Sequence, residues 1–333
     1  MPPIQVMVRS FEVRKTRRGD NYGSLRLNLG DSGAFADVEA RIWDFDRIRA
    51  DKDLPAAGDI LQVDYREEEY NGRPQWIVQD WTRIDGSARE AALQHFVPTS
   101  RVDMAEYQRR LEALIEQTDP SRAVGMILRM IYDRAGFREA FYKSPAARDH
   151  HQAYPGGLLE HTVNVTTLAL AIADAYDQAG AGLTFNHGRL PIDRQVLIAA
   201  GLLHDIGKVD TYCYSPLPEV TEAQRWEGHL VISYAWVREA AAPLMAEMPE
   251  SADEINCLLH CILAHHGQLE YGSPTVPACA EAFILSQADM TDARLAEIAE
   301  SGAAALEKDP SARWLPRSMH FGGGIFIGGW KKE

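Results

Sequence analysis

Long apolar runs are missing from this sequence. None of its 333 residues falls in a stretch of about 18 consecutive apolar side chains, which argues against a membrane-spanning helix. Cysteine is scarce: the four at 213, 257, 261 and 279 are too few for a disulfide framework, so a reducing cytoplasm is the expected compartment. The amino terminus, Met1-Pro-Pro-Ile-Gln-Val, lacks the basic and then apolar build of a signal peptide. Basic charge is in deficit, with 34 Lys and Arg against 48 Asp and Glu and a net charge of −14. That balance excludes a broadly basic nucleic-acid surface, although bound metal cations can supply positive charge where a phosphate must sit. Internal repeats and low-complexity tracts are absent as well.

What remains is ordinary globular material, 46% apolar and 25% charged, long enough for two domains. Residues 1–86 read as β. Apolar residues alternate at Ile4, Val6 and Val8, at Leu25, Leu27 and Leu29, and at Val38, Ala40 and Ile42, then recur through Ile60–Tyr65 and Trp76–Trp81. Asn71-Gly72 is a strong two-residue hairpin signal between the last two runs. About five short strands in this length predict a small OB-type barrel, a fold that binds single strands on aromatic platforms with basic edges. Tyr22, Trp43, Phe45, Tyr70 and Trp76 are the candidate platforms, set against the plain reading that most aromatics here are core. The basic run Arg14-Lys-Thr-Arg17-Arg18 is the candidate phosphate contact. This segment carries 13 Lys and Arg against 16 Asp and Glu, so it is the less acidic part of the chain.

Residues 87–101, with Pro98, read as a linker. From 102 to 310 the apolar period becomes helical, with helices expected near 102–117, 121–134, 137–142, 157–178, 192–206, 228–247, 251–266 and 278–299. The fold class is therefore multi-domain α and β, an amino-terminal OB-type barrel followed by an all-α domain. Residues 311–333 form a glycine-rich tail, for which a short strand and an irregular end are both open.

The chemistry concentrates at Gly201-Leu-Leu-His204-Asp205-Ile-Gly207-Lys208. An imidazole and a carboxylate are donors for a borderline-hard divalent metal, and a lysine one turn on can hold a phosphate oxygen. A lone histidine on an apolar helix is more often a hydrogen-bonded core residue. Here His161 precedes the pair, and His229, His265, His266 and Asp289 follow it, Asp289 set into an apolar helix face where an unpartnered carboxylate is costly. Cys257, Cys261 and His265 share a helix stripe at four-residue spacing, but the cysteines read as small buried apolar residues.

That ordered series resembles the signature of HD-superfamily metal phosphohydrolases. The wider match is to the YhaM family of bacterial 3′→5′ exoribonucleases, which join an amino-terminal OB-fold to an HD domain. Ala40-Arg-Ile-Trp-Asp44, Asp149-His-His151, Leu203-His-Asp-Ile-Gly-Lys208, Glu227-Gly-His229, Leu263-Ala-His-His-Gly267, Gly272-Ser-Pro274, Asp289 and Asp292 carry it, and it extends to about residue 295.

The resemblance implies a first metal site of His161, His204, Asp205 and Asp289. It implies a second of His229, His265 and His266, with Asp205 bridging. Two divalent cations are expected, Mn2+ first, with Fe2+, Co2+, Zn2+ or Mg2+ as alternatives. Asp205 and Lys208 would be catalytic. Lys208, His150, His151, Arg14, Arg17, Arg18, Tyr22 and Trp43 would meet single-stranded RNA or DNA. A homo-oligomer is left open.

Two departures sharpen this reading. Gln268-Leu-Glu-Tyr-Gly-Ser-Pro274 stands where cyclic-dinucleotide phosphodiesterases carry Gly-Tyr-Pro, and Gly157 stands where some of those enzymes have a third-metal glutamate. Another segment, His150-His151-x-x-Tyr-Pro-Gly-Gly-Leu-Leu-x-His161, is similar to one in HD-type conjugative relaxases. The alternatives are thus a small-nucleotide phosphohydrolase, a relaxase-like DNA-processing protein and a non-catalytic single-strand-binding protein.

Overall fold

The computed structural model describes residues 3–30, 37–43, 45–46, 53–70, 73–96, 103–148, 152–178, 184–185, 188–189, 192–214, 218–315, 321 and 323–328. The chain divides into two compact units. One comprises Met1–Pro98, Ser215–Leu217 and Ser301–Glu333; the other comprises Thr99–Tyr214 and Pro218–Glu300.

In the first unit, β1 (Ile4–Lys15), β2 (Asn21–Asn28), β3 (Asp37–Ile42), β4 (Ile60–Tyr70) and β5 (Arg73–Arg83) close a barrel in the order β1-β2-β3-β5-β4. Every pair is antiparallel except β3 with β5. This is the OB-type arrangement. The alternation read from sequence sends Val6, Val8, Leu25, Leu27, Ala40, Ile42 and Val63 inward, all of them buried. Gly23 lies where a side chain would crowd the core: a Cβ there would sit 3.1 Å from both Ile42 and Phe11. Tyr70 opposes Arg73, the register of a two-residue hairpin loop, while the expected turn Asn71-Gly72 lies outside the described residues.

Two candidate platforms are corrected here. Phe45 and Trp76 are buried, and Trp76 stacks on Tyr65 with centroids 3.7 Å apart, so both serve the barrel core. The stretch expected to be linker, 87–101, largely forms α1 (Gly86–Phe96). Its Ala92 and Phe96 bury against Met7 and Ile60, and this packing gives a helix to a segment with a weak apolar stripe.

The second unit runs through α2 (Met104–Glu116), α3 (Ala123–Tyr132), α4 (Phe137–Lys143) and α5 (Gly157–Gln178). A small hairpin of β6 (Thr184–Phe185) and β7 (Gly188–Arg189) leads to α6 (Arg194–Leu203) and α7 (Lys208–Thr211). A second hairpin, β8 (Tyr212–Tyr214) and β9 (Pro218–Val220), precedes α8 (Glu222–Trp226), α9 (His229–Glu247), α10 (Ala252–Ala264) and α11 (Ala280–Lys308). The core is carried by α3, α6 and α10, where Ile127, Leu128, Ile131, Leu197, Leu258 and Ile262 are fully buried. Within residues 311–333, β10 (Trp314–Leu315) pairs with β11 (Ile325–Phe326), so part of the glycine-rich tail is a short hairpin. Among the described residues no helix is long and apolar enough to cross a membrane.

Candidate metal centre

The apolar run Val196–Leu203 is buried on all sides and makes α6 a central helix, whose end delivers His204 and Asp205. Two glycines let its neighbours come close. A Cβ on Gly201 would sit 2.6 Å from Thr166 Oγ1, so α5 crosses there, one turn after His161. A Cβ on Gly207 would sit 2.4 Å from the carbonyl oxygen of His229. Instead the Gly207 N–H donates to Ser233 Oγ at 2.9 Å, docking the start of α9 on the His-Asp turn. His265 and His266 follow the last turn of α10, and Asp289 and Asp292 lie one turn apart on α11.

The side chains converge on Asp205, which is 2% exposed. Its Oδ2 lies 3.3 Å from both His161 Nε2 and His204 Nε2, and 2.6 Å from Lys208 Nζ. Its Oδ1 lies 3.3 Å from His229 Nε2 and 3.5 Å from His265 Nε2. One carboxylate thus faces two clusters, one oxygen to each. Donor atoms of His161, His204 and Asp289 lie within 4.8 Å of one another, as do those of His229, His265 and His266.

The rings are held from behind. His204 Nδ1 lies 2.8 Å from the Gly201 carbonyl, His265 Nδ1 2.7 Å from that of Ile262, and His266 Nδ1 2.9 Å from that of Tyr271. A carbonyl only accepts, so each Nδ1 carries the proton and each Nε2 presents a lone pair to the centre. His161 Nδ1 is 2.7 Å from Asp292 Oδ2, which also accepts from Gln152 Nε2 at 3.1 Å. Sequence reasoning named Asp292 without a role and missed Gln152. The available signal for Asp292 was its position three residues after Asp289 on one helix face.

The result is acceptors facing acceptors. His204 Nε2 is 3.4 Å from His161 Nε2, and both look onto Asp205. Among the described residues, Asp205 Oδ1, both ring nitrogens of His229 and His265 Nε2 are buried without a hydrogen-bond partner. Such convergence repels unless a cation lies within it, so the donor set fits divalent metal.

The electrostatics agree. Burial opposes charge on His161, but Asp205, Asp289 and Asp292 hold its pKa well above the ordinary value, the response of a ring asked to supply positive charge. Burial, with Lys208 and the neighbouring rings, holds His229 well below it, in the neutral form a ligand needs. His266 is lowered to about 4, again chiefly by burial. For Asp205 and Asp289 burial is outweighed, by Lys208 and His204 in one case and by His161 in the other, and both carboxyls are held far down.

The HD domain model matches residues 158–294. The 3′-5′ exoribonuclease YhaM of Bacillus velezensis is 30% identical over 287 residues, 86% of this chain and 84% of that protein. This chain belongs to the YhaM family. Its relatives include the YhaM of Bacillus subtilis, 29% identical over 81% of this chain and 78% of that one. The YhaM of Listeria monocytogenes is 27% identical over 81% and 79%. No solved structure matches significantly. Membership makes the chain a hydrolytic enzyme with a divalent-metal HD domain, whose naming pair here is His204-Asp205.

The remaining sequence-derived residues of this YhaM-family chain are those expected to meet the substrate. Arg14 opposes Tyr22 across β1 and β2, and Tyr22 lies against Trp43 with centroids 5.0 Å apart. Arg41 lies over the Tyr22 ring at 5.9 Å, and Trp43 is 46% exposed. Arg14, Lys15, Arg17 and Arg18 are exposed, and Glu12 pairs with Arg14 at 2.7 Å. His150 and His151 lie outside the described residues, as does the side chain of Tyr70.

Proposed function

We propose that this protein is a metal-dependent 3′→5′ exonuclease of single-stranded RNA, able to take single-stranded DNA, that releases nucleoside 5′-monophosphates. The observation that carries the reading is the convergence of lone pairs on the two oxygens of Asp205, in a chain whose relatives are 3′-5′ exoribonucleases. His161, His204, Asp205 and Asp289 hold one cation, and His229, His265 and His266 hold the other, with Asp205 shared. A set of nitrogen and oxygen donors without sulfur suits Mn2+, and Fe2+, Co2+, Zn2+ and Mg2+ are the alternatives to compare. When bound, such a pair supplies Lewis acidity at a phosphoryl oxygen and lowers the pKa of water.

The chain's own groups do the rest. Asp205 orients both halves of the centre. Lys208, buried and held protonated by Asp205 against the pull of burial, offers its remaining N–H donors to a phosphate oxygen of the scissile link. Asp292 and the backbone carbonyls keep the rings aimed. The barrel holds the strand, with bases on Tyr22 and Trp43 and phosphates on Arg14, Arg17 and Arg18, and His150 and His151 are the further substrate contacts. The free cysteines suit a reducing cytoplasm.

The test is a time course on 5′-labelled RNA with Mn2+ and with EDTA, beside a panel of mononucleotides. Stepwise shortening from the 3′ end in Mn2+ alone is the expected result. Turnover of a mononucleotide with no RNA shortened would favour the small-nucleotide phosphohydrolase.

A further inference from the structure

Three of the four cysteines meet at a point that the centre on Asp205 does not use. Cys257 and Cys261, one turn apart on α10, converge with Cys279, which directly precedes α11. Their three sulfur atoms lie within 4.8 Å of one another, and Cys257 Sγ is 3.4 Å from Cys279 Sγ. Sulfurs around a tetrahedral zinc ion, each about 2.3 Å from it, stand about 3.8 Å apart, so the trio is already near that spacing.

A second observation points into the same spot. Glu281 is 6% exposed. Its Oε1 accepts the Asp193 N–H at 2.6 Å, which leaves Oε2 turned toward the sulfurs, 3.7 Å from Cys257 Sγ. A buried carboxylate beside three thiols is costly unless something cationic joins them.

We propose that Cys257, Cys261, Cys279 and Glu281 form a third metal site, a structural one for a thiophilic divalent cation such as Zn2+. Three sulfurs and one carboxylate oxygen supply the four ligands of a closed tetrahedral site. Sulfur donors separate it in metal preference from the nitrogen and oxygen donors around Asp205. Its outer contacts are present too: Cys279 Sγ accepts the Ala282 N–H at 3.4 Å, and Glu281 is fixed by Asp193. Cys257 and Cys279 are only half-buried, which gives an ion a way in. A disulfide between Cys257 and Cys279 would use two sulfurs and leave Cys261 outside the bond. The bound ion clips α10 to the start of α11, the helices that carry His265 and His266 on one side and Asp289 and Asp292 on the other.

The test uses full-length protein stripped of metal, kept reduced with a phosphine and titrated with Co2+. Sulfur-to-cobalt charge-transfer absorption in the near ultraviolet is expected to reach, once all sites are filled, the intensity of one thiolate-bound Co2+ per chain, and to be displaced by Zn2+. The histidine and carboxylate ligands of the other centre cannot give that signal. Cys257→Ser and Cys279→Ser should each abolish it while helix content by circular dichroism stays at the wild-type level, and each should lower zinc content by one ion per chain. Absence of the band in the wild-type protein would overturn the proposal, whatever the variants do. So would its survival in both variants, or a Cys257–Cys279 crosslinked peptide recovered without reduction as the resting form.

Discussion

Asp205 is the residue at which both clusters meet, so its replacement tests both at once. Asp205→Ala should abolish RNA shortening and remove most of the metal from the centre while helix content remains, checked by mass spectrometry of metal and circular dichroism. A variant that kept wild-type turnover would refute the assignment. Asp292→Ala tests the layer behind. Without its anchor the His161 ring loses its fixed tautomer and aim, and a loss of about 10–100-fold in metal affinity or activity is expected. Isothermal titration on stripped protein reads the first and the RNA time course the second. The seven inward-facing residues were legible in the sequence because His, His-Asp, His, His-His and Asp recur in one order with matching neighbours. The support behind them was not. That Asp292 serves His161 depends on how α11 packs beside α5, and 131 residues separate the two. The cysteines were read as plain core because only the fold brings Cys279 to the stripe shared by Cys257 and Cys261.

At the scale of elements, the helices that end in residues converging on Asp205 are fastened at their other ends. Arg122, just before α3, pairs with Asp193, the cap of α6, at 2.5 Å and with Glu254 in the first turn of α10 at 3.1 Å. Asp193 also accepts from the N–H groups of Gln195 and Val196. Its removal in Asp193→Ala should lower stability by about 1 kcal/mol through the lost cap. The side chains of the pair are about a third exposed, so the ion pair adds little beyond that. Burial raises the Asp193 carboxyl, but Arg122 and the capping N–H groups outweigh it and its pKa is lowered. A depressed carboxyl contributes stability that is complete above its unfolded value, about 3.9, and fades as pH falls through the folded one. The gap between wild type and variant in urea midpoints should therefore hold at neutral pH and close below about pH 4. A gap unchanged at pH 3 would show that the charge plays no part. The long helices were legible from their apolar period, whereas α1 was hidden, because it is fixed by two anchors on the barrel rather than by a full stripe.

For the whole molecule, the question is what a barrel contributes to an enzyme whose chemistry lies in the helical unit. Tyr22, Trp43 and Arg41 form an aromatic and basic strip across neighbouring strands, and Trp43 is open to solvent. Trp43→Ala in the full-length protein should raise KM on long RNA by the loss of about 1–3 kcal/mol of stacking. Turnover of a dinucleotide should be unchanged. Replacing Arg14, Arg17 and Arg18 together should weaken long-RNA binding and flatten its dependence on salt. Equal kinetics of these variants and wild type on long RNA would remove the barrel from substrate binding. The order of barrel and helical unit was legible because alternation ends near residue 86 and a helical period runs from residue 102. Which aromatics face outward was not, since Trp43 and Trp76 look alike in a strand pattern and differ only once Tyr65 covers one of them.

The anchoring of the histidine rings also says something about how the centre takes shape. His204 and His265 are each oriented by the carbonyl three residues earlier, within the last turn of their own helix. Their tautomers are therefore written into local chain and need no distant segment. The anchor of His161 Nδ1, by contrast, comes from Asp292 on α11, 131 residues further along the chain. That contact closes a far longer loop than either local bond, at a cost that grows only slowly with loop length. Of the histidines around Asp205, the one that comes first in the chain is thus the one whose aim rests on the most distant contact.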